Sequence, residues 1–416
     1  MGVTTEMART TGYNVLESGH LLRRYSYIER GLLRILAGWL PEVPQWEVKK
    51  AIGRHLWDEA EHADRLYQRL RELRGGHPKA DADPRLVFLM GEALNAPEPA
   101  ALLAGLYLTI KRHLLDAYQR HIPASSYVVD APTVDLLSQI VQDEERHLEW
   151  AEEVLATLLQ NEAIRRGASE WQQYLDRLVA AAGGLAGDLP ATEEPNTPRP
   201  ASFLPFKRSG RAQRDARFVI RPASEAYLPQ AQMDGLPLRE NEIAAFRLYF
   251  SEMWAAELVA SVIFDAEDMP WEFYHDLARH CWDEIRHCEM GEMRLKELGI
   301  GISDYPVAVS EYERCVRMPW AHRYCDLTIM AEARHIHVRP PRVKRWTEEG
   351  ARRSAMFADY DWSDEINHVA YGYKWLRHLL ENDARTIDDF VAECEVMRQR
   401  LGEEASEFRL PAYAND

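Results

Sequence analysis

The sequence predicts an all-α protein of two tandem four-helix bundles, each with an extra C-terminal helix, joined by a Pro-rich linker. Three observations carry this. The stretch His55 to His62 and the stretch His280 to His287 both read H-x-W-D-E-x-x-H, 225 positions apart. The core of that motif, Asp-Glu-x-x-His, recurs from Asp143 to His147 and from Asp364 to His368, so each half carries it twice. Around all four copies, apolar residues recur at helical spacing and are punctuated by Pro and Gly. The expected domains are a first bundle over 1–182, a linker over 183–236 and a second bundle over 237–416.

The first helix runs from about Val15 to Leu40, with Leu21, Leu22, Ile28, Leu32, Leu33, Ile35 and Leu36 on its apolar face, and Pro41 and Pro44 stop it. The second runs from about Trp46 to Leu73 and closes at Gly75-Gly76. A polar crossover from His77 to about Pro99 leads to a third, about Ala100 to His121. A fourth spans about Thr133 to Gln160, and a fifth about Ser169 to Ala182, with Ser169 as N-cap. From Gly183 to about Leu236, prolines at 190, 195, 198, 200, 205, 222 and 229 exclude long helices. This predicts an extended arm with a short strand around Phe218 to Ile220. Five helices then follow in the same order: about Arg239 to Phe264, Trp271 to Leu298, Tyr312 to His337, Arg353 to Leu380, and Ile387 to Gly402 after Thr386 as N-cap.

On a helix, residues three apart share a face, so each Glu-x-x-His aims a carboxylate and an imidazole in one direction. A di-metal four-helix bundle needs that pair from two helices and one further Glu from each of the other two. Glu29, roughly as far before the Pro41 turn as Glu59 is after it, is expected to face Glu59 and His62. Glu257 holds the corresponding place before Glu284 and His287, with Glu252 as its rival. The third helices align through Leu108-Thr109-Ile110 and Leu327-Thr328-Ile329, which sets His113 opposite Glu332. The second half therefore offers Glu257, Glu284, His287, Glu332, Glu365 and His368. The first offers Glu29, Glu59, His62, His113, Glu144 and His147. Four carboxylates and two imidazoles suit iron or manganese, and without a cation such buried carboxylates would repel one another. Asp58, Asp143, Asp283 and Asp364 are expected to orient the histidines of facing helices. His55, His280, Trp57 and Trp282 are read as core or supporting residues.

These motifs, with Glu29, Glu257 and Glu332 at single-carboxylate positions, resemble the ferritin-like di-iron carboxylate superfamily. The resemblance covers about 15–182 and 237–402. It implies two iron ions in the second bundle, with manganese as an alternative. His113 stands where the family has a carboxylate, so the first bundle either forms a His-rich variant site, takes its carboxylate from Asp116 one turn on, or has lost tight two-metal binding; a weakened or altered site is expected, with its metal content left open. His335, three residues after Glu332, is similar to a third histidine in some amine-oxidising relatives. The family implies a non-haem di-iron oxygenase or oxidase, with no catalytic residue beyond the metal centre, taking dioxygen, a small organic substrate and electrons from a separate donor. Its alternatives are iron or peroxide handling without an organic substrate, and a metal-binding structural protein.

Bulk composition narrows the field. A formal net charge of −17 over 416 residues, with no basic run, argues against nucleic acid. No run of 18 apolar residues and no signal-like layout in Met1 to Asn14 predict a cytoplasmic protein with no membrane partner. The five cysteines, Cys281, Cys288, Cys315, Cys325 and Cys394, form no Cys-x-x-Cys pair and are expected as buried thiols. Nothing in the sequence sets the oligomeric state or the substrate.

Overall fold

The computed structural model describes residues 12–75, 83–191, 199–200 and 203–407. Most of the terminus from Met1 to Asn14, Gly76, part of the crossover after His77, and Pro195 and Pro198 of the linker lie outside the described residues. Among the described residues every regular element is helical, and the strand expected near Phe218 is reduced to an isolated parallel bridge between Ile220 and Val307. No helix among them is long and apolar enough to cross a membrane. All five cysteines are buried and free.

The chain divides into two compact units, one of Met1–Trp39 with His55–Lys207 and one of Leu40–Arg54 with Arg208–Asp416. This places the boundaries elsewhere than 182 and 236, and the side chains show why. Leu185 and Ala186 are buried, and Arg24 donates to the carbonyls of Leu185 (2.8 Å) and Gly184 (3.2 Å). The tight path there uses Gly183, Gly184 and Gly187, all at positive φ, a region glycine enters without a Cβ penalty. The later part of the Pro-rich stretch is tied into unit 2, where the Phe218 ring packs on Trp46 and Phe250.

Unit 1 contains α1 (Val15–Trp39), most of α2 (Trp46–Glu72), α3 (Pro84–Ala93), α4 (Pro99–Leu103), a π-helical segment (Ala104–Lys111), α5 (Arg112–Ala124), α6 (Ala131–Leu158) and α7 (Glu162–Ala181). The apolar stripe of α1 is buried from Leu21 to Leu36, and Ser26 Oγ donates to the Ala63 carbonyl of α2. The last α-type helix starts seven residues earlier than its sequence reading. Asn161, not Ser169, caps it, accepting from the backbone N–H of Ala163 (2.9 Å) and Ile164 (3.3 Å).

Near the end of α5, His121 is 1 % exposed, its ring edge-on to Tyr13 and tilted against Tyr25, and neither ring nitrogen has a hydrogen-bond partner. Burial pushes its pKa down to about 4, with Asp130 acting weakly the other way. An unfolded histidine titrates near 6.5, so between these values the unfolded chain binds a proton that the folded chain refuses. Stability is therefore expected to fall as pH drops from about 6.5 to 4, by about 3 kcal/mol from this group. Urea unfolding at both ends of that window should show a smaller acid loss in His121→Phe than in the wild type. An equal loss would rule the group out.

Unit 2 contains the first turns of α2, then α8 (Ala223–Ala226), α9 (Gln230–Asp234), α10 (Leu238–Ser251), α11 (Met253–Asp265), α12 (Trp271–Glu297), α13 (Ser310–Cys315) and α14 (Trp320–Cys325). A second π segment (Asp326–Glu332) leads through α15 (Ala333–His335) and a 3₁₀ turn to α16 (Arg339–Glu348), α17 (Arg352–Leu379) and α18 (Ile387–Glu407). Two expected continuous helices are thus interrupted, at Glu252 and around 316–319. Pro340 and Pro341 open α16 instead of ending a helix, because Pro lacks only an N–H that the first turn leaves unused. Thr386 and Asp389 cap α18 reciprocally, with Thr386 Oγ1 accepting from Asp389 N (3.1 Å) and Asp389 Oδ2 from Thr386 N (2.8 Å). Two glycines allow close approach. A Cβ on Gly291 of α12 would lie 2.3 Å from the Phe250 nitrogen, and one on Gly372 of α17 would lie 2.2 Å from Thr328 Oγ1.

Candidate metal centres

In unit 2, carboxylates and imidazoles from four stretches converge. The α10–α11 junction supplies Glu252, α12 supplies His280, Glu284 and His287, the π segment ends in Glu332, and α17 supplies Asp361, Glu365 and His368. The Glu284 carboxylate sits in the middle. Its Oε1 is 3.5 Å from His368 Nδ1 and 3.3 Å from His280 Nε2, while its Oε2 is 3.6 Å from His287 Nδ1. Glu332 Oε1 joins the first side, 3.2 Å from His280 Nε2 and 4.0 Å from His368 Nδ1. Glu252 Oε2 joins the second, 3.4 Å from His287 Nδ1. Two donor sets therefore share one carboxylate, the arrangement in which a carboxylate bridges two cations.

Many of the converging atoms lack hydrogen bonds: Glu252 Oε2, Glu284 Oε2, Glu332 Oε2, Asp361 Oδ1, Glu365 Oε2, His287 Nδ1 and His368 Nδ1. Orphaned buried polar atoms cost about 1–3 kcal/mol each, more when charged, so a cluster of them fits a cation. The outer imidazole nitrogens face carboxylates of the facing helix: His287 Nε2 is hydrogen-bonded to Asp364 at 3.3 Å, while His368 Nε2 lies 3.5 Å from Asp283 without a hydrogen bond. An Nε2–H held that way leaves the Nδ1 lone pair pointing inward. Burial drives Glu365 well above the ordinary carboxylate range; Arg339, 2.6 Å from its Oε1, pulls the other way, and Glu332 and Asp361 add to the rise. Burial alone would also raise Glu284, but His280, His287 and His368 hold it below that range.

Three sequence-predicted positions fall outside the cluster. Glu257 is fully buried but bound by the Lys49 ammonium and by Arg214, whose Nη1 and Nη2 reach its two oxygens at 2.5 and 2.8 Å. The break at Glu252 turns that residue inward instead, five positions earlier. His335 is exposed, with Nδ1 2.7 Å from the Ala331 carbonyl. His113 is 41 % exposed beside Asp176 (3.1 Å), and Asp116 is exposed, so neither fills the third-helix position of unit 1.

That position is taken by Lys111, the last residue of the first π segment, as Glu332 is the last of the second. Its Nζ donates to Glu59 Oε1 (2.5 Å) and to both oxygens of Glu144 (2.7 and 2.8 Å). Burial opposes its charge, yet Glu144 and Glu59 hold its pKa above the usual lysine value. Glu29 accepts from Tyr118 Oη (2.6 Å), and His62 Nδ1 lies 3.8 Å from Glu29 Oε1 and 3.6 Å from Glu144 Oε1. His147 Nδ1 is 3.7 Å from Glu59 Oε1. The outer nitrogens repeat the pattern of unit 2, with His62 Nε2 and His147 Nε2 each 3.2 Å from Asp143 and Asp58.

His280 and His55 hold the supporting places expected of them, while their partners Tyr324 and Tyr107, and also Asp361 and Arg339, escaped the sequence reading. His280 stacks on His368 at 3.7 Å between ring centres and reaches Tyr324 Oη (3.2 Å), and His55 likewise reaches Tyr107 Oη (2.7 Å). Asp361 accepts from Tyr249 Oη and Arg339 Nε, both at 2.9 Å. Asp361 lies one turn before Glu365, a spacing that marks it in retrospect; nothing local marks Arg339.

The residues thus define an all-helical protein whose two buried carboxylate–histidine clusters have the donor set and spacing to hold metal ions. Residues 206–409, just under half the chain, match a family described as a protein of unknown function, DUF455. No curated protein and no solved structure matches the chain.

Proposed function

We propose that the protein is a non-haem di-iron oxidoreductase of the ferritin-like class, built as two tandem bundles, which uses dioxygen to oxidise a small organic substrate in unit 2. The observation that carries this is the Glu284 carboxylate shared between two sets of orphaned Nδ1 and carboxylate atoms. The tandem reading rests on the order of helices and on Asp-Glu-x-x-His on α2 and α6 as on α12 and α17. It rests also on a π segment before each third-helix contact, a distortion frequent at functional sites.

Iron bound there would supply the electrons that activate dioxygen. The chain's own residues hold and insulate. Glu252, Glu284 and His287 would hold one ion and Glu284, Glu332 and His368 the other, with Asp361 and Glu365 offering further donors on the His287 side. Asp283 and Asp364 would orient the imidazoles, and Phe273, Tyr324 and Trp375 pack an apolar layer beside His280, which Tyr324 Oη reaches. Electrons come from a separate donor, and the cytoplasm is the expected setting.

A second reading, iron or peroxide handling, is favoured by one observation. An open groove on unit 2, about 500 Å³, is of mixed character, with Asp234, His337, Arg342 and Arg345 beside Val338 and Pro341, rather than an enclosed apolar chamber. Adding Fe(II) stepwise in air to the metal-free protein separates the two. An oxidase stops oxidising iron once its sites are filled, until reductant is supplied. Continued oxidation with mineral growth would favour iron handling and overturn the first reading.

A further inference from the structure

We propose that unit 1 binds a single divalent metal ion at Glu29, Glu59, His62 and Glu144, with the Lys111 ammonium standing in for the second ion of a pair. The inference rests on the donor chemistry that supports the proposed function, but not on the reaction.

The two clusters can be compared atom by atom within their own units. In unit 2, the side of Glu284 that faces His368 is completed by Glu332. In unit 1 the corresponding side of Glu59 faces His147, and there Lys111 Nζ sits, 2.5 Å from Glu59 Oε1 and 2.7 Å from Glu144 Oε1. An ammonium with three N–H donors satisfies those oxygens but leaves no room for a metal ion beside His147. The opposite side keeps its donors. Glu29, Glu59, His62 and Glu144 each present an atom within 4.8 Å of the others, all buried. Glu29 Oε2, Glu59 Oε2 and His62 Nδ1 have no hydrogen-bond partner.

Charge agrees with this division. Three buried carboxylates against one ammonium leave two negative charges, matching one divalent ion. In unit 2 the carboxylates of Glu252, Glu284, Glu332, Glu365 and Asp361 against Arg339 leave four, matching two. Buried clusters are stable when such charges cancel. Lys111 thus fixes the number of ions in unit 1, and a lone ion with a permanent cation beside it is a poor partner for two-metal chemistry.

The test uses the full chain with unit 2 disabled by Glu284→Ala and His287→Ala together, loaded with Mn(II) and desalted. The expected result is one Mn per chain, with the EPR spectrum of an isolated ion, lost when His62→Ala is added. Lys111→Glu in the same background should raise the content to two, with exchange coupling between them. Two coupled ions or none in the parent variant would overturn the proposal, and so would a folded Lys111→Glu protein that still holds one. Should Lys111→Glu not fold, the parent spectrum still decides. A wild type that holds no more Mn than the disabled variant would sink the di-metal reading of unit 2 while leaving unit 1 intact.

Discussion

Glu257→Ala is expected to destabilise unit 2 by about 3–5 kcal/mol, the range for breaking one partner out of a buried ion pair, while leaving the metal content of the folded protein unchanged. Glu257 is 0 % exposed and neutralises two cations, Lys49 and Arg214, that reach it from different parts of the chain. Lys49 has an escape. Burial already pushes its pKa down to about 8, so without Glu257 it can shed its proton at neutral pH. Arg214 has none, since a guanidinium does not deprotonate in proteins, and its charge remains buried. Glu257→Gln, which keeps the acceptor oxygen, should cost less than the alanine change. Urea unfolding combined with metal analysis checks both parts. Metal loss with little change in stability would return Glu257 to the list of ligands.

The second large effect concerns Glu284. Because its two oxygens serve both donor sets, Glu284→Ala should empty unit 2 of both ions, whereas Glu252→Ala should remove one. Each ion held at about 100 times its dissociation constant adds about 2.7 kcal/mol to the folded state, so two add about 5. Added Mn(II) should therefore raise the unfolding midpoint of the wild type well beyond that of Glu284→Ala. In the metal-free state the order should narrow or reverse, because the substitution also removes one of the clustered carboxylates. A Glu284→Ala protein that still gains the full metal-dependent stability would refute the shared-carboxylate geometry.

The helical class was legible because it rests on periodicity over long stretches, and the α12 and α17 donors because Glu-x-x-His fixes two side chains on one face without reference to any other helix. What could not be read was register between helices. Choosing Glu257 over Glu252 assumed an unbroken helix before the turn, and the interruption at Glu252 defeats that assumption. Aligning His113 with Glu332 assumed one α-helical phase for the third helices, but each contains a π segment that shifts the facing residue, and Lys111 comes inward instead. Lys111 was also hidden by chemistry, since a lysine in an apolar stretch reads as a solvated charge until its carboxylate partners are known. Asp58, Asp143, Asp283 and Asp364 lie beside histidines of facing helices because each directly precedes a glutamate that already points inward. The division of the chain was obscured for another reason. Proline excludes helix but says nothing about packing, and the stretch after Gly183 is held by contacts from Arg24 that no local pattern announces.

Anomalous diffraction at the iron edge, from crystals of iron-loaded protein, tests the central claim most directly. Two strong peaks are expected in unit 2, one on each side of the Glu284 carboxylate, the first against His287 Nδ1 and the second against His368 Nδ1. A single peak there, or none with Glu252, Glu332 and Glu365 turned to water, would contradict the account.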